Sequence, residues 1–496
     1  MIRFFSTCLL VATAAAAQPF SFKAMPNPSG VDPQVGGVDV RPDGKVAVAF
    51  HRGELMIFDP ATETWSAFAE GLQEPLGLLA ESTDSLLVMQ RAELTRLRDR
   101  NRDGKAETYQ TVFDGFGLTG NYHEFAFGPA KAPDGSLFIA LNLASNGAGI
   151  RPEIRGEWSD IGQLDFRQMQ HDGKWRDRSV KAGRMYSRVP YRGWILKLSP
   201  DGKQVEPWAC GFRSPDGIGF DAEGRLLVDD NQGDWRGTSP LYVVEKGGFY
   251  GHPASLVWQD DWKGGDPMKM AVGRLDRLRT KETARFPQGD LANSPTQPVV
   301  IPESWGPYAR QTLIGEMNQP RLVRFLADEV DGFTQGTLIP MFDGTPLGAG
   351  NHRLAFGPDG TLWVGKTHLS WAGAEGLFRI QPENLDQVLT VTSVKLEKSG
   401  SRQQFRITFS QPVAEPGTPK IHAFDYHYHV DYGSPKTREA DLPVEKAQLD
   451  SRHHDLIIET KVQEGCVHRI DLPGIVSDNG TALDATTLYY QVTRLP

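Results

Sequence analysis

The sequence predicts an all-β protein: a six-bladed β-propeller followed by an immunoglobulin-like β-sandwich. Three observations carry this. Short runs that alternate apolar and polar residues recur along the chain. Pro-Asp-Gly or Asp-Gly turns punctuate them, the signal for tight hairpins. Near residues 382–389 the pattern changes and the Asp-Gly blade turns stop.

The 496 residues include 52 Gly and 34 Pro, a surplus that fits many short elements joined by turns. Hydrophobic residues make up 39%, enough for a sizeable core and too few for a membrane-embedded bundle. Lys and Arg number 53 against 62 Asp and Glu, a net charge of −9. That balance argues against nucleic acid, whose phosphates need clustered cations. At the start, Arg3 precedes an apolar run from Phe4 to Ala17 that ends in small residues. This reads as a secretory leader over residues 1–17, giving a periplasmic or secreted protein with no membrane span. Cys210 and Cys466 lie far apart and are expected to be buried small residues rather than a bridge. No C-x-x-C-H motif for covalent haem is present.

Repeating units begin at Gly37, Pro75, Glu124, Pro215, Arg310 and Arg353, and the last ends at Ile380, about 57 residues per unit. The third has a delayed last strand, GWILKLSPDG, and the fifth is degenerate. Units of three or four antiparallel strands cannot bury both faces alone, and radial closure solves this. An open solenoid would need a shorter, stricter period. The propeller is expected over residues 18–383. Two stretches, 142–192 and 246–304, are too long for ordinary loops, and their Trp, Tyr and Arg suit ordered walls over one face of the disc. Residues 384–496 hold strand-like alternations at sandwich spacing and read as a separate β-sandwich.

The segment DRNRDGKAE places Asp99, Asn101 and Asp103 at positions 1, 3 and 5 of a calcium-loop pattern, Gly104 at 6 and Glu107 at 9. Gln110 stands where the bidentate Glu would be, so the alternative is a solvated turn. Asp229, Asp230, Asn231, Gln232 and Asp234 form a second oxygen-rich loop, with turn chemistry as its alternative. His427 and His429 would share one face of an expected strand, as a copper or zinc pair would. Lacking a clear third ligand, they are better read as a polar aromatic edge docking onto the propeller. Serine-hydrolase, zincin, P-loop and Rossmann patterns find no suitable context.

GNYHEFAFGP places His123 before the third unit's inner strand, and ACGFRSPDGIGFD places Arg213 before the fourth's. With DDNQGDW and GGFYGHP following, most of residues 37–380 resembles the soluble quinoprotein glucose and sorbosone dehydrogenase family, including membrane-bound-dehydrogenase-like members. The resemblance implies a six-bladed propeller holding calcium and pyrroloquinoline quinone (PQQ) on one face. It implies that His123 takes a hydroxyl proton from a sugar or polyol while hydride passes to the quinone, and that Arg213 stabilises developing charge. It implies cofactor contacts at Gln73, Ser214, Asn231, Gln232 and Arg353, and Asp230 in the calcium region. A separate carrier would take the electrons. The chain departs from the pattern where Ser214 replaces an Asn and where no Lys lies between Lys281 and Lys366. His352 and Arg353 also stand where the family has an Arg pair. PQQ is a tricarboxylate that needs several cations. The other expectations for the same pocket are a metal-dependent carbohydrate lyase or hydrolase, and a non-catalytic glycan- or protein-binding propeller.

Overall fold

In the computed structural model, residues 18–145, 154–159, 161, 185–369 and 373–496 are described. The leader expected over residues 1–17, and much of the 142–192 insertion, lie outside them. Six four-stranded antiparallel blades are present, as the repeats predict. The first runs Val35–Val40, Val46–Phe50, Leu55–Asp59 and Thr64–Ala69. The second runs Gly77–Ala80, Ser85–Met89, Leu94–Arg98 and Thr108–Phe113. Ala126–Lys131, Leu137–Leu141, Trp194–Leu198 and Val205–Cys210 form the third. The fourth is Gly217–Phe220, Leu226–Asp229, Ser239–Val243 and Ala284–Phe286, and the fifth is Pro295–Val300, Thr312–Glu316, Leu322–Val330 and Phe333–Met341. The sixth takes three strands from Asn351–Phe356, Leu362–Lys366 and Gly376–Pro382, and its outer strand from the start of the described chain, Phe20–Ala24.

The first strand of each blade contacts that of the next, and the sixth contacts the first, which closes the ring. Six inner strands crowd one axis, so side chains there must be small. A Cβ on Gly77 would meet the Gly128 carbonyl oxygen at 1.6 Å, and one on Gly36 the Pro75 oxygen at 1.9 Å. The hairpins are built as the Pro-Asp-Gly motif dictates. Asp43, Asp134, Asp201 and Asp359 each accept the N–H two residues on, and the glycine between adopts positive φ (Gly44 +80°, Gly135 +84°). Apolar residues alternate inward along the strands, and cores form between neighbouring blades, such as Leu55, Phe68, Leu78, Leu86 and Val88.

The C-terminal sandwich has one sheet of Val391–Ser399, Arg402–Phe409, Asp455–Thr460 and Lys446–Leu449. Its other sheet, Thr487–Gln491, Val467–Asp471, Lys420–Tyr426 and Lys436–Leu442, does not stand alone. Thr487–Gln491 pairs with Phe333–Met341, the outer strand of blade five, so propeller and sandwich share one continuous sheet. Leu326, Val330 and Ile339 from the fifth blade lie in the same core as Phe405, Ile407, Leu456, Ile458 and Tyr490. Cys210 and Cys466 are free and buried, as the sequence suggests. Among the described residues, no helix is long and apolar enough to cross a membrane.

Candidate active site

Successive inner strands run the same way around the ring, so the loops that feed them open on one mouth. There they enclose a cavity of about 520 Å³. The residues entering blades two, three and four supply Glu74, His123, Arg213, Ser214 and Asp216, and the blade-five and blade-six entries add Asn293, Ser294 and His352.

His123 is held by its own loop. Asn121 Oδ1 accepts the His123 and Ser145 backbone N–H groups at 3.0 and 3.1 Å, while its Nδ2 donates to the Ser145 carbonyl at 2.8 Å. Glu124 accepts from the backbone N–H and hydroxyl of Thr119, which locks the turn before the strand. The His123 ring sets Nδ1 3.0 Å from the Leu143 carbonyl oxygen, so Nδ1–H donates. In the neutral imidazole this makes Nε2 the basic nitrogen. The same Leu143 donates its N–H to the Arg213 carbonyl at 3.1 Å, tying the two expected catalytic residues to one residue between them.

Arg213 is 5% exposed, with Nε–H donating to Asp234 Oδ1 at 3.0 Å. Asp234 also accepts from Met185 N–H at 3.0 Å and faces His252 Nε2 at 3.1 Å. Burial disfavours its charge, but His252 and Arg213 hold the Asp234 carboxyl below its usual range. Asp230 differs from the metal ligand expected of it. Its carboxylate accepts from the Arg213 and Ser214 N–H groups at 2.8 and 2.6 Å and from Arg236 Nε at 2.9 Å, three donors of which one is a cation. Asp230 and Asp234 of the oxygen-rich loop are therefore tied into an internal salt-bridge network. Of its members, Asn231 and Gln232 do line the cavity, with Ser214 beside them. Asn142, fully buried in the wall, donates from Nδ2 to Ser214 Oγ at 3.0 Å. Its Oδ1 has no hydrogen-bond partner among the described residues.

Two expected cofactor contacts lie elsewhere. Gln73 is exposed and does not line the cavity; the next residue, Glu74, does, paired with Arg91. Arg353 is 3% exposed below the floor, bonded to Asp216 Oδ1 at 2.9 Å and to the Gly36 and Leu76 carbonyls at 3.1 Å. It stitches inner strands together, and His352 lines the cavity in its place. Burial opposes the charge on Asp216, yet Arg353 and His352 bring its pKa down to about 2. Burial, reinforced by His352 and Arg353, lowers His51 to about 3, so this ring is neutral.

Asp99, Asp103 and Glu107 bring one carboxylate oxygen each within 4.8 Å of the others, on the outer hairpin of blade two and away from the cavity lining. Asn101 donates from Nδ2 to Asp103 Oδ2 at 3.1 Å. Asp99 also accepts the N–H groups of Arg102 and Gly104, the bonds of an ordinary turn.

Residues missed by sequence reasoning include Glu74, Arg91, Asn142 and Tyr432. Tyr432 comes from the loop between Lys420–Tyr426 and Lys436–Leu442 of the sandwich, and its ring lies 5.3 Å from the Arg213 guanidinium carbon. No local motif marks it, because the contact is made only in three dimensions.

A family described as a domain of unknown function, DUF7133, matches residues 58–238. No curated protein matches the chain. Solved structures similar to it include an oxidoreductase (glucose dehydrogenase) from Thermus thermophilus, 16% identical, covering 73% of this chain and 100% of that one at a TM-score of 0.48. The PQQ-bound aldose sugar dehydrogenase of Streptomyces coelicolor is 17% identical, covering 73% and 98% at 0.46. The PQQ domain of pyranose dehydrogenase from Coprinopsis cinerea is 12% identical, covering 74% and 96% at 0.46. These neighbours are of the same kind as the sugar dehydrogenases that the sequence resembles.

Proposed function

We propose that this chain is a dehydrogenase-like propeller that acts on a sugar or polyol in the ring-mouth cavity, with any hydride going to a two-electron acceptor supplied from outside the chain. His123 takes a proton from a substrate hydroxyl, and Arg213 steadies the oxygen left behind. The observation that carries this is the Nδ1–H bond from His123 to the Leu143 carbonyl, which makes Nε2 the basic nitrogen on the cavity wall. The leader expected over residues 1–17 would add export to the reading, with a periplasmic or secreted site of action. A calcium ion on Asp99, Asp103 and Glu107 would brace blade two rather than serve the cavity.

The lining does not fit a tricarboxylate quinone. It contains two guanidinium groups, Arg91 and Arg213, and two carboxylates, Glu74 and Asp216. Arg91 is engaged by Glu74 and the Asn121 and Tyr122 carbonyls, and the charge of Arg213 is balanced by Asp234, bonded through Nε. Lys366, on the second strand of blade six, gives its Nζ to the Leu347 and Ala349 carbonyls and to Asn351 Oδ1. Three carboxylates placed here would lack free cations, so no step passes through PQQ. This charge balance favours a second reading, in which the same base serves a lyase or hydrolase, or the cavity binds glycan without turnover.

The test is product analysis with a panel of aldoses and polyols, following dye reduction, with and without PQQ and Ca²⁺, alongside bond cleavage. Conversion of a sugar that falls about 10²- to 10⁴-fold in His123→Gln is expected for an acid–base role. Cleavage without dye reduction selects the lyase or hydrolase, and binding without conversion the glycan-binding form. Unchanged turnover in His123→Gln would overturn the base assignment.

A further inference from the structure

The sandwich loop at residues 427–435 reaches over the mouth of the ring and is fastened to the loop that follows the second strand of blade four. Trp235 N–H donates to the His429 carbonyl, Gly433 N–H to Gly233, and Ser434 N–H to Gly237, each at 2.9 Å, and Asp234 and Tyr432 form an isolated β-bridge. Tyr428 packs against Trp235 at 5.2 Å, with the Arg279 guanidinium 4.5 Å from its ring centre. These links fix where the loop presents Tyr432, beside Arg213 on the cavity wall.

Tyr432 is 52% exposed and Tyr122, on the same lining, 48%. Large aromatic side chains are costly to leave half in water, and a pair of them on one cavity lip marks a face for a ligand. The remaining wall is rich in amides: Asn142, Asn231, Gln232, Gln288, Asn293 and Asn318. Carboxamides offer a donor and an acceptor side by side, which matches adjacent hydroxyls, and the balanced charge offers no advantage to an anion.

We propose that Tyr432, supplied by the C-terminal sandwich, is a substrate-binding residue that stacks on the C–H face of a neutral sugar ring. This rests on the ring-mouth reading above and deepens it: the substrate class is an uncharged pyranose or short glycan, and the sandwich is part of the binding site.

The experiment measures binding of D-glucose, D-xylose, maltose, cellobiose and D-glucuronate to the full chain by calorimetry, for wild type, Tyr432→Ala and Tyr432→Phe. Urea midpoints check folding. The expected result is tightest binding to one of the neutral sugars, weakened about ten-fold in Tyr432→Ala and restored to within about three-fold by Tyr432→Phe, because the ring face and not the hydroxyl does the stacking. If wild type binds none of the sugars, the ring-mouth reading falls, and this inference with it. If wild type binds a sugar but both Tyr432 variants bind it equally well, only the role of Tyr432 is refuted. Preference for D-glucuronate over D-glucose would overturn the neutral substrate class.

Discussion

Replacing Asp234 by Asn is the sharpest test of how the site is held together. Asp234 is 1% exposed and meets three groups: Arg213 Nε and Met185 N–H at 3.0 Å, and His252 Nε2 at 3.1 Å. Asn keeps the shape but offers one acceptor oxygen and turns an NH₂ toward at least one donor. It also leaves the buried Arg213 cation without its partner. At 3.0 Å and an effective dielectric near 20, the lost attraction is about 5.5 kcal/mol before desolvation is counted. Breaking a buried pair from one side costs about 3–5 kcal/mol. Asp230 nearby offsets part of this, although its carboxylate is already engaged by Arg236. A loss near 3 kcal/mol is therefore expected, read as a fall in the urea midpoint at constant slope. Arg213→Met combined with Asp234→Asn removes the stranded cation, so the double variant should cost about 2 kcal/mol less than the two singles together. A loss below about 1 kcal/mol for Asp234→Asn, or additive costs, would refute the reasoning.

Phe20→Ala should cost about 3–5 kcal/mol, because Phe20 packs at 5.0 Å from both Trp305 and Phe342 where the first strand closes blade six. Urea unfolding checks it, and a loss under about 1 kcal/mol would deny that strand its role. His468 is buried, and burial lowers its pKa to about 4 against an ordinary 6.5. The unfolded chain therefore binds a proton that the native state refuses. Its contribution is flat above pH 6.5 and falls by up to about 3 kcal/mol as pH drops from 6.5 toward 4. His468→Gln should lack that slope when midpoints are compared at pH 7 and 4.5, and a parallel decline in both proteins would contradict it. Millimolar Ca²⁺ should raise the melting temperature of wild type and not of Asp103→Asn if the blade-two loop takes the ion. An equal response in both would remove calcium from that loop.

The blades were legible because their hairpins are local. A Pro-Asp-Gly turn is chosen by three adjacent residues, and Asp134 and Asp359 make the expected bonds. What depends on distant pairing was not legible. Phe20–Ala24 is five residues with no turn beside it, and its partner is Gly376–Pro382 at the other end of the propeller. The inner strand of blade five carries Pro295 and Pro298, which weaken its strand signal. In the site, His123 and Arg213 could be placed because each stands just before an inner strand. Gln73 and Arg353 each missed by one residue. On the strand Asn351–Phe356 neighbouring side chains point opposite ways, so His352 faces the cavity instead of Arg353, and before blade two a positive φ at Glu74 accompanies its place on the lining. Asp230 was read by its oxygens alone; its partners Arg213 and Arg236 became visible only in the folded network.

The strand Phe333–Met341 serves two cores at once, and this has a bearing on how the chain can be handled. Cut after the sixth blade, the propeller would present that nine-residue strand as a bare edge with Ile339 uncovered, an invitation to pair with another chain. The sandwich cut free would lose one wall of its interior. The two halves are thus expected to melt in a single cooperative step, and a deletion designed at the apparent boundary would yield two sticky fragments in place of two domains.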